Sequence, residues 1–500
     1  MSLAILRSRA QIGVAAPAVT IEVLLSGGLP SFSVVGLAEA AVRESKDRVR
    51  GAILSCGFDF PQQRITVSLG PADMKKSGGR FDLAIALGIL LAGRQLRAGG
   101  LEDQEFYGEL GLNGEIRPVP GVLPAAIKCA AEGRAIWVPA ANAREALLPG
   151  ATVFAASGLL EVAAHLNRER RIEPAAGSPA QGAVPDAPDL AEVRGQAEAR
   201  RALEIAASGG HNLLLAGPPG TGKSMLARRL PGLLPPMSDA EALETAAVNS
   251  VLGLPFDAAR WRQRPFRAPH HSASAAALVG GGSDPRPGEI SRAHNGVLFL
   301  DELPEWSRHV LEMLREPLEA GRITISRAGR QVDFPARFQF VAAMNPCPCG
   351  YHGDERGHCH CSADRIQNYR GKISGPLLDR IDLHVAMRRA CSATLRGPRR
   401  EESTACVAAR VAAARERQLG RSGRLNAELN GNELESACRP TDQALRLLDR
   451  ALDQYLMSMR AQRRVLRVAR TIADLAGAQV VGMEQIGEAL ALRGFGGAPG

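Results

Sequence analysis

Aromatic residues make up only 4% of this 500-residue chain, so its cores are expected to lean on Leu, Val, Ile and Ala. Long apolar runs are also missing. The longest, residues 83–93, is too short to cross a bilayer, and no membrane partner is expected. The opening residues, Met1 to Arg7, lack the layout of a secretory signal. The nine cysteines are therefore read as thiols of a reduced, cytoplasmic protein rather than as an extracellular disulfide framework. Acidic residues are outnumbered by basic ones, 52 against 61, which leaves a net charge of +9 carried mainly by Arg. That balance favours an anionic partner such as nucleic acid. The length exceeds what one hydrophobic core normally serves, so several domains are expected.

What is present is concentrated in one stretch. Gly217-Pro218-Pro219-Gly220-Thr221-Gly222-Lys223-Ser224 fits G-x-x-x-x-G-K-[ST]. An apolar run (212–216) that reads as a buried parallel strand precedes it, and a run that opens a helix (225–230) follows. In that setting glycines let backbone N–H groups turn toward nucleotide phosphates at a helix N-terminus. Lys223 would reach the β/γ-phosphates and Ser224 would hold Mg²⁺. A second apolar strand, 296–300, ends in two carboxylates. Asp301 would orient Mg²⁺ through its water shell, and Glu302 would polarise the attacking water. A third, 338–344, ends in Asn345, placed to touch the γ-phosphate or that water. Arg380 follows in Gly375-Pro376-Leu377-Leu378-Asp379-Arg380-Ile381-Asp382 and reads as an arginine finger for a neighbouring subunit. Its alternative is a surface salt bridge to Asp379 or Asp382.

Residues 172–188, rich in Pro, Ala and Gly, read as a linker. They separate an α/β region (1–171) from a parallel-sheet core (189–390), after which 391–500 is mostly helical. In the first region, strand-like runs (20–25, 32–35, 64–69, 135–138) alternate with helical ones, 38–54 and 81–91. Val42, Val49, Ile53 and Leu54 are expected to face inward. In the last region, residues 460–476 put Ala461, Val465, Val468, Ala469, Ile472 and Leu475 on one face and arginines on the other. Arg460 is the candidate sensor of the γ-phosphate, with Arg464 next. Arg463, Arg467 and Arg470 are read either as part of a basic DNA face or as solvated.

Two segments are not needed for nucleotide chemistry. Residues 266–282 contain His270 and His271, but neighbouring loop residues seldom both reach one ion and no third ligand is obvious. A mobile insertion facing a ring pore is the preferred reading. Residues 321–334 alternate like a hairpin that turns at Ala328-Gly329, with Arg327 and Arg330 at its tip to grip a phosphate backbone. A charged turn in solvent is the alternative. Finally, Cys347, Cys349, Cys359 and Cys361 form two C-x-C pairs that could give four thiolates to a structural Zn²⁺. His352, His358 or His360 could replace one of them, and a set of free thiols is the alternative.

The order of loop, carboxylates, Asn and Arg resembles that of the AAA+ ATPases, which implies a ring, six-membered in the usual case, with ATP at each interface. The stretch Gly108-Glu109-Leu110-Gly111-Leu112-Asn113-Gly114-Glu115-Ile116-Arg117-Pro118-Val119-Pro120-Gly121-Val122 resembles the Lon-protease-like domain of ribosomal-protein-S5-type fold. The nucleophile segment Gly79-Arg80-Phe81-Asp82-Leu83-Ala84 lacks the matching Ser, and Pro124 stands where the Lys should fall. Lys128 and Ser77 lie nearby, yet a scaffold without proteolysis is expected. The run Pro287-Gly288-Glu289-Ile290-Ser291-Arg292-Ala293-His294-Asn295-Gly296 resembles the magnesium-chelatase-like branch. From about residue 4 to about residue 490 the chain resembles the competence protein ComM (YifB-type) family. That resemblance implies a hexameric DNA motor driving branch migration in recombination and natural transformation. A metal-chelatase motor subunit and a protein-remodelling ATPase remain as other readings.

Overall fold

Every second residue of Ala18–Ser26 and Arg64–Gly70 is apolar, and Val19, Ile21, Val23, Leu25, Ile65, Val67 and Leu69 are each at most 3% exposed. This period of two buries one face of a sheet. The computed structural model describes residues 1–494 except 38, 40, 41, 43, 98, 178–187, 283, 284, 328, 329, 355, 356 and 391–400. Its first sheet has seven strands in the order Ser31–Val35, Arg64–Gly70, Ala18–Ser26, Ser2–Arg9, Gln104–Phe106, Ala135–Pro139, Thr152–Ala156. Ala18–Ser26 runs antiparallel to both its neighbours, and the other pairs are parallel. The helix Asp82–Ala92 buries all but Leu91, as a helix apolar on every side must. Of the helix expected over 38–54, Ser45–Ser55 form one, while 38, 40, 41 and 43 lie outside the described residues; its Leu54 is 51% exposed rather than inward. Val49 and Ile53, one turn apart, define the buried stripe, and Leu54 lies about 100° round from Ile53.

The second sheet is fully parallel, in the order Phe266–Arg267, Val297–Leu300, Gln339–Met344, Leu213–Ala216, Leu383–Ala386. Both of its faces are covered. Leu213, Leu215, Val297, Phe299, Val341 and Ala343 join a core shared with the C-terminal helices. Leu214, Leu298, Leu300, Phe340 and Ala342 join another beneath the hairpin. Burial on two sides is why these strands read as uninterrupted apolar runs.

The C-terminal helices are Thr404–Ser422, Gly431–Cys438, Asp442–Tyr455, Met459–Leu475 and Met483–Ala491. In Met459–Leu475 the apolar face is buried as expected, but two of its arginines are neither solvated nor free for DNA. Arg470 is 1% exposed and donates to Asp474 (2.9 Å) and to the Gln479 carbonyl (2.9 Å). Arg467 donates to the Leu429 carbonyl (2.8 Å) and to Asn430 (3.0 Å). Long stems let these side chains reach carbonyls that helix and turn ends leave unpaired. Arg463 is exposed.

The two sheet regions touch. Gly121 and Leu123 donate their N–H groups to the carbonyl (2.8 Å) and hydroxyl (3.2 Å) of Ser250, near the end of the helix Asp239–Val251. Val14 packs into the core beneath the hairpin. Most of the expected linker lies outside the described residues. No helix among the described residues is long and apolar enough to cross a membrane.

Candidate active site

Three strands of the parallel sheet deliver the site at their C-terminal ends, where open α/β sheets place their crevices. After Leu213–Ala216 the chain makes its loop with Gly220 (φ +78°) and Gly222 (φ +90°), a left-handed conformation that costs glycine little. Gly222 then caps the helix that starts at Lys223. The Lys223 ammonium donates to the carbonyls of Gly217 (2.7 Å) and Pro218 (3.0 Å) and to Asn345 Oδ1 (3.1 Å). Burial lowers its pKa, while Asp301 and Glu302 pull the other way. Ser224 Oγ donates to Asp301 Oδ2 at 2.5 Å. Lys223, Ser224, Asp301 and Asn345, read from separate stretches of sequence, therefore meet in one crevice. Thr221 closes the loop on itself by donating to the Pro218 carbonyl (2.9 Å).

Glu302 follows Asp301 in a left-handed conformation (φ +50°), a strain of about 1 kcal/mol or more for a residue with a side chain. Its N–H donates to Asp301 Oδ1 (2.8 Å), and its carbonyl accepts from Glu305 (2.7 Å). The carboxylate is half-exposed, and its Oε2 lies 3.1 Å from His271 Nδ1. In sequence, His271 stands out only as a poor metal-ligand candidate beside His270. Phe266–Arg267, expected within the insertion, is instead the edge strand of the sheet, so the two adjacent histidines lie just past a core strand.

Arg380 lies at the N-terminal ends of the strands, away from the crevice. Its carbonyl accepts from Asn212, one residue before the phosphate-loop strand. From there to Gly217 the strand spans about 16 Å, so Arg380 does not serve the loop of its own chain. Its guanidinium donates to the Pro376 carbonyl (2.6 Å) and to Glu319, rather than to the expected alternative partners Asp379 or Asp382. Asp382 is held by others. Burial would raise its pKa, but His211 and Arg464 (3.1 Å) hold it well below the usual carboxylate range. Arg464 thus sits beside Asp382 at that same end of the sheet, and Arg460, one turn earlier, is exposed.

The four cysteines converge. All four Sγ atoms lie within 4.8 Å of one another, with Cys347 3.3 Å from Cys349 and 3.7 Å from Cys359, and Cys349 3.6 Å from Cys359. These separations are too long for a disulfide and near the roughly 3.8 Å between sulfurs on a tetrahedral ion with 2.3 Å bonds. An N–H from Tyr351 leads the effects that pull the Cys349 thiol down to about 6. Against an N–H from Cys361, burial and the neighbouring thiols push Cys359 up to about 11. It is the convergence of the four sulfurs that points to a metal. The donor set fits zinc. The segment also touches the nucleotide site, because a Cβ on Gly350 would fall 2.7 Å from the ring of Pro219.

In the first region, residues 79–84 present Asp82, buried and bonded to Arg48 (2.7 Å), and Lys128 is exposed. Burial raises the Asp82 pKa to about 6 against the pull of Arg48.

Families described as "Magnesium chelatase, subunit ChlI" (residues 189–395), "Subunit ChlI of Mg-chelatase" (21–142) and "Magnesium chelatase, subunit ChlI C-terminal" (401–493) match the chain. It is 49% identical to "Competence protein ComM" of Haemophilus influenzae, covering 99% of this chain and 98% of that one. It is 46% identical to the protein YifB of Escherichia coli, covering 99% and 97%. Over 30% of this chain and 51% of the other it is 29% identical to "Magnesium-chelatase 38 kDa subunit" of Cereibacter sphaeroides. The chain belongs to the ComM/YifB family of magnesium-chelatase-like AAA+ ATPases.

Proposed function

We propose that the chain is one subunit of a six-membered ring that couples ATP hydrolysis to movement on branched DNA, driving branch migration during recombination or natural transformation. The name of the Haemophilus relative supports the link to transformation. In this reading the loop Gly217–Ser224 holds the phosphates, and Ser224 and Asp301 hold Mg²⁺, which would neutralise phosphate charge. Glu302 orients water, and Asn345 and Lys223 bind the γ-phosphate. Arg380 leaves Glu319 to enter the next subunit's site. Its distance from its own loop supports that direction. Residues 1–171 act as a Lon-like scaffold without proteolysis, joined by 172–188 to the core (189–390) and the helical domain (391–500).

The observation that carries the DNA reading is the hairpin Arg322–Arg327/Arg330–Pro335. Ile323, Ile325, Val332 and Phe334 anchor it in the core, while Arg327 and Arg330 pair across its turn. Phosphate contacts contribute a salt-dependent affinity with a slope near 0.9 per phosphate. Replacing both arginines with Ala is expected to weaken duplex binding roughly tenfold and to flatten the log–log salt slope by about two, leaving DNA-free ATPase activity intact. Unchanged affinity and slope would remove the hairpin from the DNA path.

The four cysteines hold a structural Zn²⁺ and carry no catalysis. Protein prepared without chelators is expected to contain a single zinc per chain by elemental analysis, and the Cys347→Ser, Cys359→Ser double variant none. A metal-free wild type of normal stability would refute the site.

A further inference from the structure

Among the described residues the arginine-tipped hairpin is a sheet of its own, two strands with no ladder to either large sheet. Two strands alone are marginal in water, so the hairpin takes its position from what its apolar face rests on. That face is Ile323, Ile325, Val332 and Phe334, with Val332 paired to Ile325 and Phe334 to Ile323. Against the second strand lies a turn from the far end of the chain. Residues 10–17 join Ser2–Arg9 to Ala18–Ser26, the longest antiparallel pair of the first sheet. The turn closes on itself through Ile12 and Ala15, whose N–H groups donate to each other's carbonyls (3.1 and 2.9 Å). At its tip Gly13 is buried and left-handed (φ +58°). A Cβ there would fall 2.5 Å from Val332 Cγ1 and 3.4 Å from Phe334 Cε1. Val14 packs into the same core. Val332 is two residues from Arg330, about 7 Å along the strand.

The turn is rooted more firmly than a surface loop requires. Buried Arg9 makes two 2.8 Å bonds to the buried Glu105 and donates a third (3.2 Å) to the Ala16 carbonyl at the base of the turn. A bidentate pair of this kind fixes direction, whatever it contributes to stability. Gln11 donates to the Val251 carbonyl (3.4 Å) and accepts from Arg80, so the turn is also tied to the end of the helix Asp239–Val251. A stiff extension of the first sheet thus ends beneath the hairpin. We propose that residues 12–15 are the seat of the hairpin, with Gly13 and Val14 as positioning residues through which the first region sets where Arg327 and Arg330 stand. The consequence for DNA rests on the DNA reading above. The seat itself does not.

The test is hydrogen exchange of the hairpin amides (322–335) in the full-length chain without DNA, for wild type, Gly13→Ala, Val14→Ala, Val332→Ala and Gly13→Ala/Val332→Ala. A methyl on Gly13 meets both a positive φ and the Val332 side chain. It is expected to speed hairpin exchange about tenfold, while the strands of the parallel sheet keep their rates. Val14→Ala removes packing at a half-buried position without a clash, and about threefold is expected. Val332→Ala takes away the atoms in the path of the new methyl. Adding Gly13→Ala to it should therefore speed exchange by a smaller factor than adding it to wild type, a coupling that general weakening of the first sheet would not produce. With duplex DNA, Gly13→Ala is expected to bind about threefold more weakly, with a salt slope flatter by about one and DNA-free kcat and KM for ATP unchanged. Unchanged hairpin exchange in both Gly13→Ala and Val14→Ala overturns the seat, as does an equal rise over the whole chain or the absence of coupling to Val332. Faster, coupled hairpin exchange with unaltered DNA affinity upholds the seat and removes the hairpin from the DNA path instead.

Discussion

Glu302→Gln is expected to bind ATP as the wild type does and to hydrolyse it at least about 100-fold more slowly. The amide keeps the size and polarity of the side chain but loses its basicity. Nothing that holds the phosphates is touched, because Lys223 and Ser224 are positioned by Gly217, Pro218, Asn345 and Asp301. The carboxylate is half-exposed, so the change leaves no buried group unpaired and should leave thermal stability within about 0.5 kcal/mol of wild type. Titration with a fluorescent ATP analogue and a single-turnover assay separate the two effects. Hydrolysis within tenfold of wild type would mean that the water is activated elsewhere.

Arg380→Ala is expected to lower kcat by about 1,000-fold or more while each chain still binds ATP. The size of the effect follows from a charge delivered to the γ-phosphate in the transition state, and its location from the fold. Arg380 and the phosphate loop lie at opposite ends of one parallel sheet, so in the proposed ring the loss is expected in the neighbouring subunit. Mixing Arg380→Ala with Lys223→Ala then becomes informative. Each chain lacks what the other provides, so mixed rings contain some interfaces with an intact loop facing an intact Arg380, and activity should partly return. Glu319 is mostly exposed and tolerates losing its partner, but Arg380 itself is buried, so a melting curve of the variant separates a lost finger from a misfolded chain. Full activity in Arg380→Ala would remove the finger.

The parts of this molecule written in the sequence are those set by local rules. A parallel sheet buried on both faces appears as apolar runs, and its candidate site residues appear as the polar residues that end those runs, as in Leu300-Asp301 and Met344-Asn345. Two C-x-C pairs and an alternating arginine-tipped hairpin were legible for the same reason. Contacts made across long stretches of chain were not. Arg380 meets Glu319, 61 residues away, and only the packing of the sheet brings them together. Helical periodicity puts Arg467 and Arg470 opposite an apolar stripe, which looks like a solvated face until helix Gly431–Cys438 and the turn after Leu475 cover it. The same limit hid His271, whose meaning depends on where a loop folds back rather than on its neighbours in sequence.

The most direct measurement is incubation of the purified protein with ATP and a labelled synthetic four-way junction, with Lys223→Ala alongside. The predicted result is release of two duplexes by the wild type and none by Lys223→Ala. A junction left intact while the wild type hydrolyses ATP contradicts a branch-migration motor and turns the search toward a protein substrate.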